Sequence, residues 1–114
     1  MKQTLSVEQI LSTEFSEEFV QGMRQRMIMS YYKYGPVKKD YGDKLINAVK
    51  SLEMRLQKYK DTGNTEYLMD VANFAMIEFM FPQHLNAFYR ATDSSESPGV
   101  HGMGIAEIER FDKG

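Results

Sequence analysis

The amino-acid sequence predicts an all-α protein, and two observations lead to this expectation. Apolar residues recur at three- and four-residue spacing along three long segments, which is the spacing of one face of an α-helix. Hydroxyl, amide, glycine and proline residues lie between these segments, where helices begin and end. We therefore expect an antiparallel helical hairpin with an additional packed helix and a loop-rich C-terminal tail.

Two helices are expected in the first third of the chain. Ser6 can cap a short helix, and Thr13 or Ser16 can cap a longer one, whose first turn is rich in glutamates that the helix dipole stabilises. The longer helix is expected to end at Gly35 and Pro36. Its apolar face consists of Phe19, Val20, Met23, Met27 and Ile28.

The third helix is expected to begin at Asp43, after a segment, PVKKDYG, that has the composition of a loop. Its apolar residues alternate at four- and three-residue steps, which is the most regular pattern in the chain. They are Leu45, Val49, Leu52, Leu56 and Tyr59. The helix is expected to end at Gly63, because a left-handed residue is favoured at that position.

The fourth helix is expected to begin at Asn64 or Thr65, either of which can cap it, and to end near Phe81 and Pro82. It is apolar around much of its circumference, which is typical of the central helix of a fold. Its predicted core stripe is Leu68, Val71, Ala72, Ala75 and Phe79.

Length and composition indicate one small domain. We expect residues 1–84 to be its helical part and residues 85–114, which are rich in serine and glycine, to be a loop-rich arm of the same domain. Because 114 residues give only a modest core, a homo-oligomer is expected. The N-terminus lacks the apolar block of a signal peptide and no apolar run could span a bilayer, so we expect a cytoplasmic protein without a membrane partner.

Charge and rare residue types exclude several classes of function. The net charge of −2 argues against duplex nucleic acid as a partner, since such binding needs a basic excess. The absence of cysteine excludes thiolate chemistry, and the presence of only two histidines argues against a histidine-rich metal site. No nucleophile elbow, Walker-type loop or dinucleotide-binding glycine pattern is present. These observations favour a binding protein with no catalytic residue and no cofactor.

The junction DTGNT, at residues 61–65, is the first candidate for a binding site. Free N–H groups at the start of a helix can bind an anion. Arg55 and Lys58 would pair with phosphates, and Thr62 and Asn64 would supply hydrogen bonds. The alternative is that this junction only ends one helix and begins the next.

Aromatic residues and a hydroxyl-rich segment supply further candidates. Rings bind nucleobases by stacking. The candidates for this role are Tyr31, Tyr32, Tyr34 and Tyr59. Arg90 would bind a phosphate through the paired N–H donors of its planar guanidinium group, and the hydroxyls of Thr92 and Ser94 would add hydrogen bonds. The alternatives are half-buried tyrosines at helix ends and an exposed tail.

Acidic residues support a competing interpretation. All-α nucleotide pyrophosphohydrolases bind Mg²⁺ through paired carboxylates on two helices. Glu14 and Glu17 have the spacing of one such pair, whereas Glu66 and Asp70 are four residues apart rather than three. With Mg²⁺ as cofactor, these four acids would form the metal site. The alternative is that they belong to solvated helix faces.

Two blocks of the sequence resemble a group of small phage-encoded proteins. They are LEMRLQKYKDTGNTEYLMDVANFAMIEFMFPQH, residues 52–84, and FYRATDSSESPG, residues 88–99, and together they cover about 45 of the 114 residues. This group is similar to the phage sponges that sequester cyclic dinucleotide signals of bacterial CBASS immunity. The resemblance implies a helical homo-oligomer in the host cytoplasm that binds a cyclic dinucleotide between its subunits without cleaving it.

Three hypotheses for the function follow from these patterns. The first is a non-catalytic nucleotide-binding sponge that serves phage immune evasion. The second is a Mg²⁺-dependent nucleoside triphosphate pyrophosphohydrolase. The third is a helical protein-interaction module, in which the leucine seam and the methionines form an interface.

Overall fold

Residues 4–92 are described by the structure of the protein, a computed structural model, and within this range the chain is helical without any strand. The all-α prediction is therefore confirmed. The α-helices are α1 (Val7–Glu14), α2 (Glu17–Tyr34), α3 (Ala48–Thr62) and α4 (Glu66–Met80), with a π-helical segment (Lys38–Gly42) between α2 and α3. None of the helices in the described range has the length and apolar character needed to cross a membrane.

The chain divides into two units. Residues 12–87 form one unit, and residues 1–11 together with 88–114 form the other, of which only 4–11 and 88–92 are described. Most of the loop-rich arm that the sequence predicts at residues 85–114 therefore lies outside the described residues. The helices α2, α3 and α4, and the candidate site, belong to the unit of residues 12–87.

The first two helices begin with the predicted caps. Ser6 Oγ accepts a hydrogen bond from the Gln9 N–H, and Gln9 Oε1 accepts one from the Ser6 N–H, which together form a capping box for α1. Ser16 Oγ accepts a hydrogen bond from the Phe19 N–H and caps α2. Gly35 follows the last residue of α2 with a φ of 87°, a conformation that glycine adopts without steric cost.

The segment after α2 is not the loop that the sequence predicts. Residues 38–42 form a π-helical turn, and the Asp43 N–H donates to the Lys38 carbonyl at 3.1 Å. Single π turns are rare and occur often at functional sites. This turn directs two of its side chains, Asp40 and Tyr41, to the cavity described below.

The third helix begins later than predicted. Asp43 ends the π-helical segment instead of starting α3, and α3 begins at Ala48. The reason is a local cap, because Asn47 Oδ1 accepts a hydrogen bond from the Lys50 N–H. Leu45, the first residue of the predicted seam, consequently precedes the helix and is exposed.

The helix α4 contacts both other long helices. Residues 63–65 connect α3 to α4, the two helices pack against each other, and α2 packs against α4. Gly63 ends α3 in the left-handed conformation that the sequence predicts, with a φ of 74°. Gly22 on α2 is buried against Met69 of α4, since a Cβ at Gly22 would lie 2.5 Å from Met69 Sδ. Glycine at this position therefore permits the close approach of α2 to α4.

The buried face of α4 differs from the predicted stripe. Phe79 is 74% exposed and Ala75 is also exposed, whereas Asn73 and Ile77 are only 5% and 4% exposed. The prediction of the stripe was wrong at these positions because apolar residues surround α4, so their pattern does not define one face. The buried face of α4 includes a polar residue, Asn73, whose Nδ2 donates a hydrogen bond to the Met23 carbonyl on α2.

Candidate small-molecule site

A cavity of about 430 Å³ lies within the unit of residues 12–87. Ligand pockets typically measure about 300–1,000 Å³, so the cavity is large enough for one small molecule. Its walls come from α2, the π-helical segment, α3 and α4. Its charged lining residues are Arg26, Asp40, Arg55 and Asp70.

The two arginines of the cavity differ in how firmly they are paired. Arg26 Nη2 lies 2.6 Å from Glu66 Oε1, and Arg26 Nε lies 3.3 Å from Asp70 Oδ1. Two carboxylates therefore hold its guanidinium group. Arg55 Nε lies 3.9 Å from Asp70 Oδ2, which is too long for a hydrogen bond. Because the Arg55 side chain is also 39% exposed, its donors can reach a ligand.

Asn73 places a buried amide at the wall of the cavity. Its Nδ2 atom donates to the Met23 carbonyl at 3.1 Å, which fixes the orientation of the amide group. Its Oδ1 atom is buried and has no hydrogen-bond partner within the described part of the chain. An unpaired buried acceptor of this kind is rare in native proteins.

Tyr41 contributes a partly buried phenol from the π-helical segment. Its ring centroid lies 6.3 Å from that of Phe74 on α4, which also lines the cavity. Burial raises the pKa of the Tyr41 hydroxyl above its ordinary value of 10.0, and the charge of Asp40 raises it further, while Arg55 opposes this. The neutral phenol can therefore donate a hydrogen bond at physiological pH.

The structure brings together three of the residues that the sequence singled out. Arg55, Tyr34 and Asp70 all line the cavity, although α2, α3 and α4 contribute one each. Tyr34 is 59% exposed, so much of its side chain is accessible, and the Lys33 ammonium lies 5.4 Å from the centroid of its ring. Asp70 lies between the two arginines, with Oδ1 3.3 Å from Arg26 Nε and Oδ2 3.9 Å from Arg55 Nε.

The polar residues of the corner between α3 and α4 bond to their own turn. Thr62 Oγ1 donates to the Lys58 carbonyl at 2.7 Å and accepts from the Asn64 N–H at 3.2 Å. Asn64 Oδ1 accepts from the Glu66 N–H at 3.0 Å. These bonds give hydrogen-bond partners to backbone groups at the end of α3 and the start of α4. Such bonds are what the alternative interpretation of this junction, as a turn between two helices, expects.

The remaining candidate side chains are dispersed. The Lys58 ammonium lies 5.9 Å from the centroid of the Tyr67 ring, and Tyr31 stands edge-on to Tyr32 with centroids 6.3 Å apart. Tyr59 is half-buried, and the cavity is lined by none of the candidates Lys58, Tyr59, Tyr31 and Tyr32. Arg90 and Thr92 are exposed and belong to the other unit, and Ser94 lies outside the described residues.

The acidic residues are used in ion pairs or stand at helix ends. Glu66 and Asp70 both pair with Arg26. Glu14 ends α1 and Glu17 begins α2. Between residues 4 and 92, no group of three or more histidine and acidic side chains lies close enough to hold a metal ion.

Arg26 is one of the cavity residues that the sequence interpretation missed. It lies one turn after Gly22 and one turn before Ser30 on α2. Residues four apart share a helix face, so Arg26 lies on the face of α2 that Gly22 presents to α4, and its side chain is 27% exposed. This signal was present in the sequence, but the apolar pattern of α2 concealed it.

Comparisons with protein-family models, with curated proteins and with solved structures found no match to the chain. The function is therefore inferred from the chemistry of the cavity and from the sequence patterns.

Proposed function

We propose that the protein is a non-catalytic nucleotide-binding protein that sequesters a cyclic dinucleotide immune signal, and that it serves phage immune evasion in the host cytoplasm. The cavity lined by Arg55, Tyr34 and Asn73 is the observation that carries the nucleotide-binding part. The sponge role and the cyclic ligand rest on the resemblance of residues 52–84 and 88–99.

The cavity offers a partner for each part of a nucleotide. The planar guanidinium group of Arg55 suits a phosphate, because its donors match the phosphate oxygens in pairs. The accessible ring of Tyr34 suits a base, which it would bind by stacking. Phe74 and Ile77 provide apolar walls against which the ring or sugar would pack.

The dimensions of the cavity favour an assembly of several copies. A volume of about 430 Å³ is near the lower limit for a ligand pocket and suits one nucleotide unit. A cyclic dinucleotide has two such units, and two symmetric copies would each enclose one of them.

Isothermal titration calorimetry with cyclic and linear nucleotides tests the proposal. Arg55→Gln should weaken binding by about tenfold or more, since a hydrogen bond to a charged group is lost. Arg24→Gln is the matched control, because Arg24 also lies on a helix but does not line the cavity. Absence of heat with every nucleotide would overturn the proposal.

The exposed apolar side chains favour a second candidate, the helical protein-interaction module. Tyr32, Leu85 and Phe88 are among the most exposed. If this candidate is right, no nucleotide raises the melting temperature, because only a ligand of the native state stabilises it.

The pyrophosphohydrolase hypothesis stays a prediction with its own test. The protein would be incubated with nucleoside triphosphates and Mg²⁺. Release of pyrophosphate would establish the enzyme and replace the sponge, whereas recovery of the intact nucleotide would remove the enzyme.

A further inference from the structure

Asp40 is the acid of the cavity lining that forms no ion pair with any residue between 4 and 92. Asp70, the other acid of the lining, lies between Arg26 and Arg55. Asp40 is half-buried, and its side chain has no hydrogen-bond partner in the same part of the chain. A carboxylate that is partly removed from water is stabilised by donors placed against its oxygens. The Asp40 oxygens are therefore acceptors with which the cavity can bind a ligand.

The π-helical segment holds Asp40 on the same side of the fold as Arg55. The Asp40 carbonyl accepts hydrogen bonds from the Leu45 N–H at 2.8 Å and from the Ile46 N–H at 3.0 Å, which fixes the backbone there. Burial is the main cause of the raised pKa of Tyr41, the charge of Asp40 adds to it, and the charge of Arg55 opposes it. Both charges therefore lie near one phenol of the cavity lining, and a ligand would face a cation and a carboxylate together.

We infer that the cavity selects a guanine base, whose ring N–H and exocyclic amino group donate a pair of hydrogen bonds to the Asp40 carboxylate. This inference rests on the proposed function, because it assigns a base to the same cavity. Guanine presents two adjacent donors on its Watson–Crick edge, and the two oxygens of a carboxylate accept two parallel hydrogen bonds. Arg55 would hold the phosphate of the same nucleotide.

The other common bases match this carboxylate less well. Adenine and cytosine each present a ring nitrogen with a lone pair beside the amino group, and this lone pair would face a carboxylate oxygen. Uracil presents a single N–H between two carbonyl oxygens. Each of these bases therefore leaves one oxygen of Asp40 unpaired or places it against another acceptor.

Calorimetry of the wild-type protein with three cyclic dinucleotides tests the inference. They are cyclic di-GMP, cyclic di-AMP and cyclic di-IMP, whose bases lack the amino group of guanine. Cyclic di-GMP should bind about tenfold or more tightly than either of the others, because each of them loses a hydrogen bond to a charged acceptor. Equal or tighter binding of either would overturn the inference and leave the proposed function standing, as would binding of other nucleotides without cyclic di-GMP. Absence of heat with every nucleotide would overturn both.

Two variants show whether Asp40 is the residue responsible. Asp40→Asn leaves one acceptor and adds one donor, a pair that matches the edge of adenine. The preference for cyclic di-GMP over cyclic di-AMP should therefore fall to about twofold or less. Asp43→Asn is the matched control and should keep the preference, because it removes the same charge at an exposed position that does not line the cavity. The readout is a ratio of affinities for two ligands, so a general loss of stability does not imitate it. A full preference that persists in Asp40→Asn would overturn the assignment.

Discussion

The cavity and the corner between α3 and α4 (residues 61–66) both gather polar side chains, but these side chains have different partners. At the corner, Thr62 and Asn64 bond to backbone atoms two to four residues away. In the cavity, Asn73 reaches a carbonyl 50 residues earlier, and Arg55 is not within hydrogen-bond distance of its nearest acid. The polar groups of the corner satisfy one another, whereas Arg55, which meets Asp70 from a different helix, retains donors for a ligand.

The largest expected effect concerns the packing beneath the cavity. Ile77→Ala should lower the free energy of unfolding by about 2–5 kcal/mol, because the side chain is buried and its removal leaves a void. Phe79→Ala is the matched control on α4 and should cost far less, since Phe79 is exposed. Urea denaturation measures both. A larger loss for Phe79→Ala would show that the face predicted from the sequence is buried in the protein in solution.

The next largest effect concerns the approach of α2 to α4. Gly22→Val should cost about 1–3 kcal/mol, because the new side chain would overlap with Met69. Gln25→Val, at an exposed position of α2, controls for the lower helix propensity of valine. Thermal unfolding of the two variants gives the comparison. Equal melting temperatures would mean that the two helices do not pack closely at Gly22.

A smaller effect is expected at the corner, where a substitution should lower stability without weakening the binding of a nucleotide in the cavity. Asn64→Ala should lower stability by about 1 kcal/mol, since the Glu66 N–H loses its acceptor at the start of α4. Its affinity for a nucleotide should stay within about twofold of the wild type. Chemical denaturation and calorimetry measure the two quantities on one sample. A tenfold loss of affinity would move the site to the corner.

The smallest effect concerns pH. Because the pKa of Tyr41 is raised in the folded protein, the unfolded chain releases this proton first, and stability falls as the pH rises above 10.0. Tyr41→Phe should lose less stability than the wild type over that alkaline range. Denaturation midpoints of both proteins at increasing alkaline pH measure the difference, and parallel curves would contradict the raised pKa.

The sequence predicted the parts of the fold that depend on neighbouring residues. Ser16, Gly35 and Gly63 act within one turn of their own position, and their roles were read correctly. The start of α3 was misplaced because Asp43 and Asn47 are both plausible caps, and the π-helical turn decides between them. The local pattern contains no information about that turn.

The candidate site was only partly predictable, because it depends on contacts between helices. Arg55, Tyr34 and Asp70 were selected as residue types, but no spacing showed that they share one cavity. Asn73 on α4 is held by the Met23 carbonyl on another helix. Such a contact exists only after α2 and α4 have packed.

A single NMR titration tests the central claim, which is that the cavity and not the corner holds the ligand. The side-chain amide signals of Asn73 and Asn64 appear in the same ¹⁵N spectrum and report on the two regions. On addition of a nucleotide, the Asn73 signals should shift while the Asn64 signals stay in place. Shifts at Asn64 with none at Asn73 would contradict the claim.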